Sequence, residues 1–271
     1  MNKIDEYINK IICGDCLDVM KELPDKSVDL VLTDPPFGHN NNNGDLISKW
    51  EAALGKGNYV PERDNRPIEN DGLEISDLIQ KCFNEFYRIL PAGSCCCCCG
   101  GGGPDPQFAR WSLWLDDAFN GGFKQMVVWD KGKIGMGWHY RRSYETVLVA
   151  QKAGAACKWY DDTQQIENII RHIPKIIPSA EQHPCIKPVE LMAHFIRLHT
   201  QENDLILDPF CGSGTTCVAA KMLGRRFIGI DISAEYVKIS RERLAAIDTG
   251  VPVKEARKGQ MALFAGYTTW L

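Results

Sequence analysis

Apolar residues along the 271-residue chain fall into two alternating patterns. Short, largely apolar runs occur at IIC (11–13), VDLVLT (28–33), SCCCCC (94–99), MVVW (126–129), ETVLVA (145–150), LILD (205–208) and FIGID (227–231). Several are apolar on both faces, as strands covered by helices on each side must be. Between them, apolar positions at helical spacing predict helices over 76–90, 106–119, 187–199, 214–224 and 234–247. Strands that alternate with helices predict an α/β fold, here as a single domain over residues 1–271.

Three stretches break the alternation. Residues 38–75 are polar, rich in glycine and proline, and include four asparagines at 40–43. A loop of that length in a compact domain reads as a mobile functional segment. Residues 151–182 form a mixed segment between a strand and a helix, and 249–271 read as a tail.

Composition narrows the setting. No run of 18 apolar residues occurs, so no membrane span is expected, and MNKIDEYINK lacks the apolar core of a signal peptide. A cytoplasmic location is the default. Of the 12 cysteines, five are consecutive, Cys95 to Cys99. Cys13/Cys16, Cys95/Cys98 and Cys96/Cys99 each have CxxC spacing, yet successive strand residues point to opposite faces. The run therefore predicts buried, reduced thiols and no metal site. The net charge of −4 leaves nucleic-acid contact to a local basic face. Residues 124–142 offer one, with Lys131, Lys133, His139, Arg141 and Arg142 interleaved with Trp138 and Tyr140. That composition fits phosphate contact and base stacking, and it fits a solvated loop equally.

Two motifs carry candidate chemistry. In VLTDPPFGHN (31–40) a strand runs into Asp34, then Pro35 and Pro36, which have fixed φ and no N–H, and then Phe37. In LILDPFCGSGTTCVAAKMLG (205–224) a strand ends at Asp208 and a turn, Gly212-Ser213-Gly214, leads into a helix. Small residues there admit a ligand to the backbone, and a helix N-terminus offers unpaired N–H groups. The next strand ends at Asp231, placed to accept ribose hydroxyls. The turn is not GxGxxG and lacks a P-loop lysine, which disfavours a dehydrogenase and an NTPase. Alone, it leaves a nucleotide-binding turn and a purely structural turn both open.

Together, TDPPFG and DPFCGSGTT resemble the S-adenosylmethionine-dependent DNA amino-methyltransferases, and their order is that of the β group. The resemblance implies a doubly wound, mostly parallel, Rossmann-like sheet in permuted motif order. It also implies S-adenosyl-L-methionine as cofactor, double-stranded DNA as partner and a restriction-modification context. CGDCLD (13–18) resembles the element that contacts the cofactor's adenine, through Asp15 and Cys16. HPCIKPVEL (183–191) resembles the element beside the methionine end, through Lys187 and Pro188, with Cys185 where threonine is more usual. Asp208, Phe210, Gly212, Ser213, Gly214, Thr215, Asp231 and Ile232 complete the implied cofactor set. VVWDKG (127–132) resembles the strand beyond the target pocket, and 151–182 lies where the family often places target recognition.

The implied chemistry explains the stiff prolines. An exocyclic amine is a poor nucleophile, so catalysis rests on placement and polarity. Asp34 accepts one N–H of the target amine and the Pro35 carbonyl accepts the other. Phe37 stacks on the base, worth about 1–3 kcal/mol, against the few kcal/mol of unpairing it. Asp at the first motif position implies adenine N6; cytosine N4, where Ser is more frequent, is the alternative. A protein or RNA methyltransferase is disfavoured by motif order and by the absence of NPPY. A non-catalytic DNA-binding protein is disfavoured by the intact Asp34 and glycine turn. The sequence leaves monomer and homodimer open and is silent on a companion endonuclease.

Overall fold

The structure is a computed structural model that describes residues 3–37, 75–100, 107–133, 143–175 and 186–250. Within them one sheet holds β1 (Lys10–Cys13), β2 (Leu30–Thr33), β3 (Cys95–Cys99), β4 (Phe123–Asp130), β5 (Tyr144–Gln151), β6 (Ile169–Ile170), β7 (Leu205–Asp208) and β8 (Arg226–Asp231). The spatial order is β1-β8-β7-β2-β3-β5-β4-β6. Neighbours from β1 through β3 are parallel, and so is β4 to β6; β5 runs antiparallel to both β3 and β4. This is the doubly wound, mostly parallel, Rossmann-like sheet expected from the sequence.

Helices cover both faces. α1 (Cys16–Glu22), α2 (Ile75–Ile89) and α3 (Gln107–Ala118) pack on one, and α4 (Val189–His199), α5 (Thr215–Met222) and α6 (Ala234–Thr249) on the other. The cysteine run follows from this sandwich. Cys96 and Cys98 pack with Phe83 and Trp111 beneath α2 and α3, while Cys95, Cys97 and Cys99 join Leu191 and Phe195 of α4. A strand paired on both edges and covered on both faces needs apolar residues throughout, and the described cysteines are all free thiols. No helix among the described residues is long and apolar enough to cross a membrane.

Element ends differ from the sequence reading in informative places. α1 was not expected; Asp15 caps it, its Oδ1 accepting from the Leu17 and Asp18 amides at 2.8 and 3.3 Å. α4 starts at Val189 with Pro188 as its cap, so Lys187 precedes the helix. The 151–182 segment contributes the short edge strand β6 beside β4. Residues 38–74 of the expected loop and 251–271 of the expected tail lie outside the described residues.

Two connections diverge at the centre. After β2 the chain proceeds to β3 by α2 on one face; after β7 it proceeds to β8 by α5 on the other. β2 and β7 are neighbours, so a crevice must open at their carboxyl ends. The turn there demands glycine. Gly214 caps α5 with φ +79°, and a Cβ on it would lie 2.9 Å from the Ser240 Cβ and 3.3 Å from its Cα. Gly214→Ala is expected to lower unfolding free energy by about 1–3 kcal/mol in urea titration. An unchanged urea midpoint would contradict the packing of α5 on α6.

Candidate active site

A cavity of about 140 Å³ lies at the carboxyl ends of β1, β8, β7 and β2. Its walls hold Asp15 and Cys16, the run Asp34, Pro35, Pro36 and Phe37, Lys187, and Asp208, Phe210, Gly212, Ser213 and Thr215, with Asp231 and Ile232 at the β8 end. The residues singled out in the two motifs thus share one crevice. Gly214 does not line it and sits behind the turn as the α5 cap.

One buried chain of charges organises the β2 side. Lys187 Nζ donates to Asp34 Oδ2 at 2.5 Å and lies 3.2 Å from Glu145 Oε2 on β5. Glu145 Oε1 accepts from Lys131 Nζ at 3.2 Å. Acid and base alternate, and the Lys187 and Lys131 side chains are 8% and 9% exposed. Burial pushes the Asp34 carboxyl up; Lys187 draws it back, and Glu145 adds repulsion. Against burial, Asp34 and Glu145 hold the Lys187 ammonium well above its ordinary range. Against burial, Lys187 and Lys131 hold Glu145 down to about 2. Two oxygens of this chain are buried without a hydrogen-bond partner among the described residues: Glu145 Oε2, which still faces Lys187 at 3.2 Å, and Asp34 Oδ1. A buried carboxylate oxygen left unpaired is costly, and it is an acceptor on offer.

Phe37 flanks this acceptor. Its ring packs on Trp111 at 6.0 Å between centroids, and Lys187 Nζ lies 5.4 Å from its centre. Next door, Thr33 Oγ1 donates to Asp208 Oδ1 at 2.7 Å across the β2–β7 pair. The residue before Asp34 is therefore tied to the first residue of the glycine-turn motif. Burial pushes the Asp208 carboxyl up to about 7, opposed by donors from Thr33, Thr216 and the Phe210 amide.

The glycine turn is held from two sides. Asp231 accepts from the Gly212 amide at 2.8 Å and from the Ser233 amide at 2.9 Å. From α6, Ser240 Oγ donates to the Gly212 carbonyl at 2.6 Å. Arg243 Nη1 donates to the Ser213 carbonyl, Ser213 Oγ and Thr215 Oγ1 at 2.7, 3.0 and 3.1 Å. Asp15 and Asp231 stand at adjacent strand ends, since β1 and β8 pair.

Several of these residues escaped the sequence reading, among them Thr33, Glu145, Ser240 and Arg243. Glu145 is the acidic residue at the start of an otherwise apolar strand, and Arg243 lies on a helix rich in charge, so only Glu145 left a signal. The basic face also needs correction at one point. Lys131 is not on a solvent face but buried against Glu145, while Lys133 is exposed. His139, Arg141 and Arg142 lie outside the described residues.

Comparison with known proteins finds relatives by sequence and by fold. A profile of the DNA methylase family matches residues 28–242. The chain is 42% identical over 276 residues to the type II methyltransferase M2.DpnII of Streptococcus pneumoniae, covering 89% of this chain and 92% of that protein. The PvuII DNA methyltransferase, described as cytosine-N4-specific, shares the fold with a TM-score of 0.67 at 19% identity, covering 92% of this chain and 89% of that one. M1.HpyAVI, solved in complex with SAM, gives a TM-score of 0.59 at 24% identity, covering 87% and 98%.

Asp208 makes the electrostatics testable. A carboxyl at about 7 in the fold and 3.8 ordinarily binds more protons folded than unfolded. The contribution of Asp208 to stability therefore falls as pH rises from about 4 to about 7 and levels off above. Asp208→Asn removes this contribution. Its stability relative to the parent is expected to gain up to about 1.4 kcal/mol per pH unit across that interval. Parallel pH–stability curves for the two proteins would contradict the buried, uncompensated carboxyl.

Proposed function

The chain belongs to the DNA methylase family, and from that premise we propose that it transfers a methyl group from S-adenosyl-L-methionine to the exocyclic N6 of an adenine flipped out of double-stranded DNA. The observation that carries this reading is the buried, unpaired Oδ1 of Asp34 in the wall of the cavity that also holds the glycine turn.

The cavity residues fit the cofactor. Asp15 and Asp231, at the ends of β1 and β8, present carboxylates to an adenine amine and to ribose hydroxyls, with Cys16, Phe210 and Ile232 as the walls for the purine. Gly212 would let the ligand approach the backbone of the turn, and Asp208 and Thr215, in the same wall, would serve its methionine end. S-adenosylmethionine supplies a methyl group that its sulfonium already makes electrophilic.

What remains is to position and polarise the amine, and the chain does this at Asp34. With Oδ2 committed to Lys187, Oδ1 is the oxygen that accepts an N–H from the target. The Pro35 carbonyl accepts the other N–H, fixed by two residues of restricted φ. Two acceptors on one amine favour the tetrahedral nitrogen that attacks the methyl group. Burial raises the Asp34 carboxyl and Lys187 opposes that rise, which favours the ionised, accepting form. Phe37, backed by Trp111, offers the ring face for the extruded base. Lys133, with His139, Arg141 and Arg142, is assigned to backbone phosphates, and residues 151–182 with 38–75 to sequence reading. Lys131 serves the charge chain instead.

Adenine is favoured over cytosine because an Asp, not a Ser, opens the motif. Transfer of labelled methyl from the cofactor to DNA, followed by nucleoside chromatography, is expected to yield N6-methyladenine. N4-methylcytosine as the sole product would overturn the base assignment. Asp34→Ala is expected to lower turnover by about 100-fold or more while leaving cofactor affinity by calorimetry unchanged. Near-normal turnover of that variant would remove Asp34 from its role.

A further inference from the structure

Apart from Cys16, none of the described cysteines has a part in the reaction above. Among the described cysteines two pairs stand in sulfur contact: Cys16 with Cys82 at 3.8 Å and Cys95 with Cys157 at 3.7 Å. They differ in access. Cys16 and Cys82 are both buried, whereas Cys157 is exposed at the end of the loop that follows β5. Backbone pairing lays that loop beside the start of β3. The Lys158 amide donates to the Gly93 carbonyl at 2.9 Å, and the Gly93 amide to the Lys152 carbonyl at 2.8 Å. Both sulfur-bearing residues line a second cavity of about 160 Å³, together with Lys124 and Trp159. A small thiol reagent therefore has a way in.

The chemistry of the pair is unequal. The sulfur contact with Cys95 holds the Cys157 thiol down to about 7, burial opposing and Lys124 assisting. The same contact and burial push Cys95 up. Cys157, exposed and sharing its cavity with Lys124, is then the nucleophile, and the buried Cys95 the partner behind it.

We propose that Cys95 and Cys157 form a reversible oxidation site that takes low-molecular-weight disulfides of the glutathione type. The Cys157 thiolate attacks one sulfur of oxidised glutathione; a mixed disulfide forms and one glutathione thiolate leaves. Cys95 then attacks the Cys157 sulfur, passes its proton to the departed thiolate, and expels the second glutathione. Two protein thiols are oxidised to one disulfide and one glutathione disulfide is reduced to two thiols. Bridging requires the two sulfurs to close from 3.7 Å to about 2.05 Å.

The test treats the native, full-length protein with oxidised glutathione, alkylates the remaining thiols and maps peptides without reduction. The expected product is a Cys95–Cys157 linked peptide, reversed by dithiothreitol, with Cys16 and Cys82 still alkylated. Cys95→Ser is expected to trap glutathione on Cys157. If that variant fails to fold, Cys157→Ser, a change at an exposed position, must abolish the linked peptide and leave Cys95 without glutathione. Persistent glutathione on Cys157 of the parent without a bridge, a bridge from Cys157 to any other cysteine, or earlier oxidation of Cys16 with Cys82 would each overturn the proposal.

Discussion

The ion pair between Lys187 and Asp34 is the interaction on which the rest of the site depends. A carboxylate buried at a strand end without a partner would take up a proton and become a donor. Lys187 opposes that change and occupies one of the two oxygens, which leaves a single acceptor with a defined direction. Lys187 is itself buried, and an unpaired buried ammonium is as unfavourable as an unpaired carboxylate. Glu145 and, behind it, Lys131 meet that demand. The catalytic assignment of a residue in the first motif thus draws on a loop before α4, on β5 and on the end of β4.

A second tie sets the distance between the two halves of the cavity. The Thr33–Asp208 hydrogen bond spans the β2–β7 pair at the point where the winding of the sheet reverses. It fixes Asp34 against the turn that follows Asp208. Rigidity on the turn side comes from backbone: Asp231, Ser240 and Arg243 bind it from β8 and α6. Both reactants of the proposed transfer would meet surfaces already organised before they arrive, which is what in-line chemistry between weak partners needs.

Much of this was legible in the chain itself. Strands that end in Asp34, Asp208 and Asp231, and glycines at 212 and 214, announce a strand–turn–helix edge through local pattern alone. α1 was overlooked, although Asp15 was there to cap it, because a seven-residue helix carries little periodicity. β6 has two residues and exists only through pairing with β4. Glu145 and Lys131 were out of reach for a different reason. Their meaning lies in partners brought close by β4, β5 and the approach to α4, and a count of basic residues cannot separate a buried lysine from one that faces solvent. The five cysteines were readable as buried strand residues, whereas the contact of Cys95 with Cys157 depends on a loop that returns across the strand start.

The most direct measurement of the central claim is the pH dependence of single-turnover methyl transfer in Lys187→Gln. Loss of the cation removes what holds the Asp34 carboxyl ionised in its buried setting. The acid limb of the profile is expected to move to higher pH than in the parent, with transfer recovering as the pH is raised. A profile whose acid limb stays where it is in the parent, with the rate either unchanged or lowered equally at every pH, would contradict the role given to this ion pair.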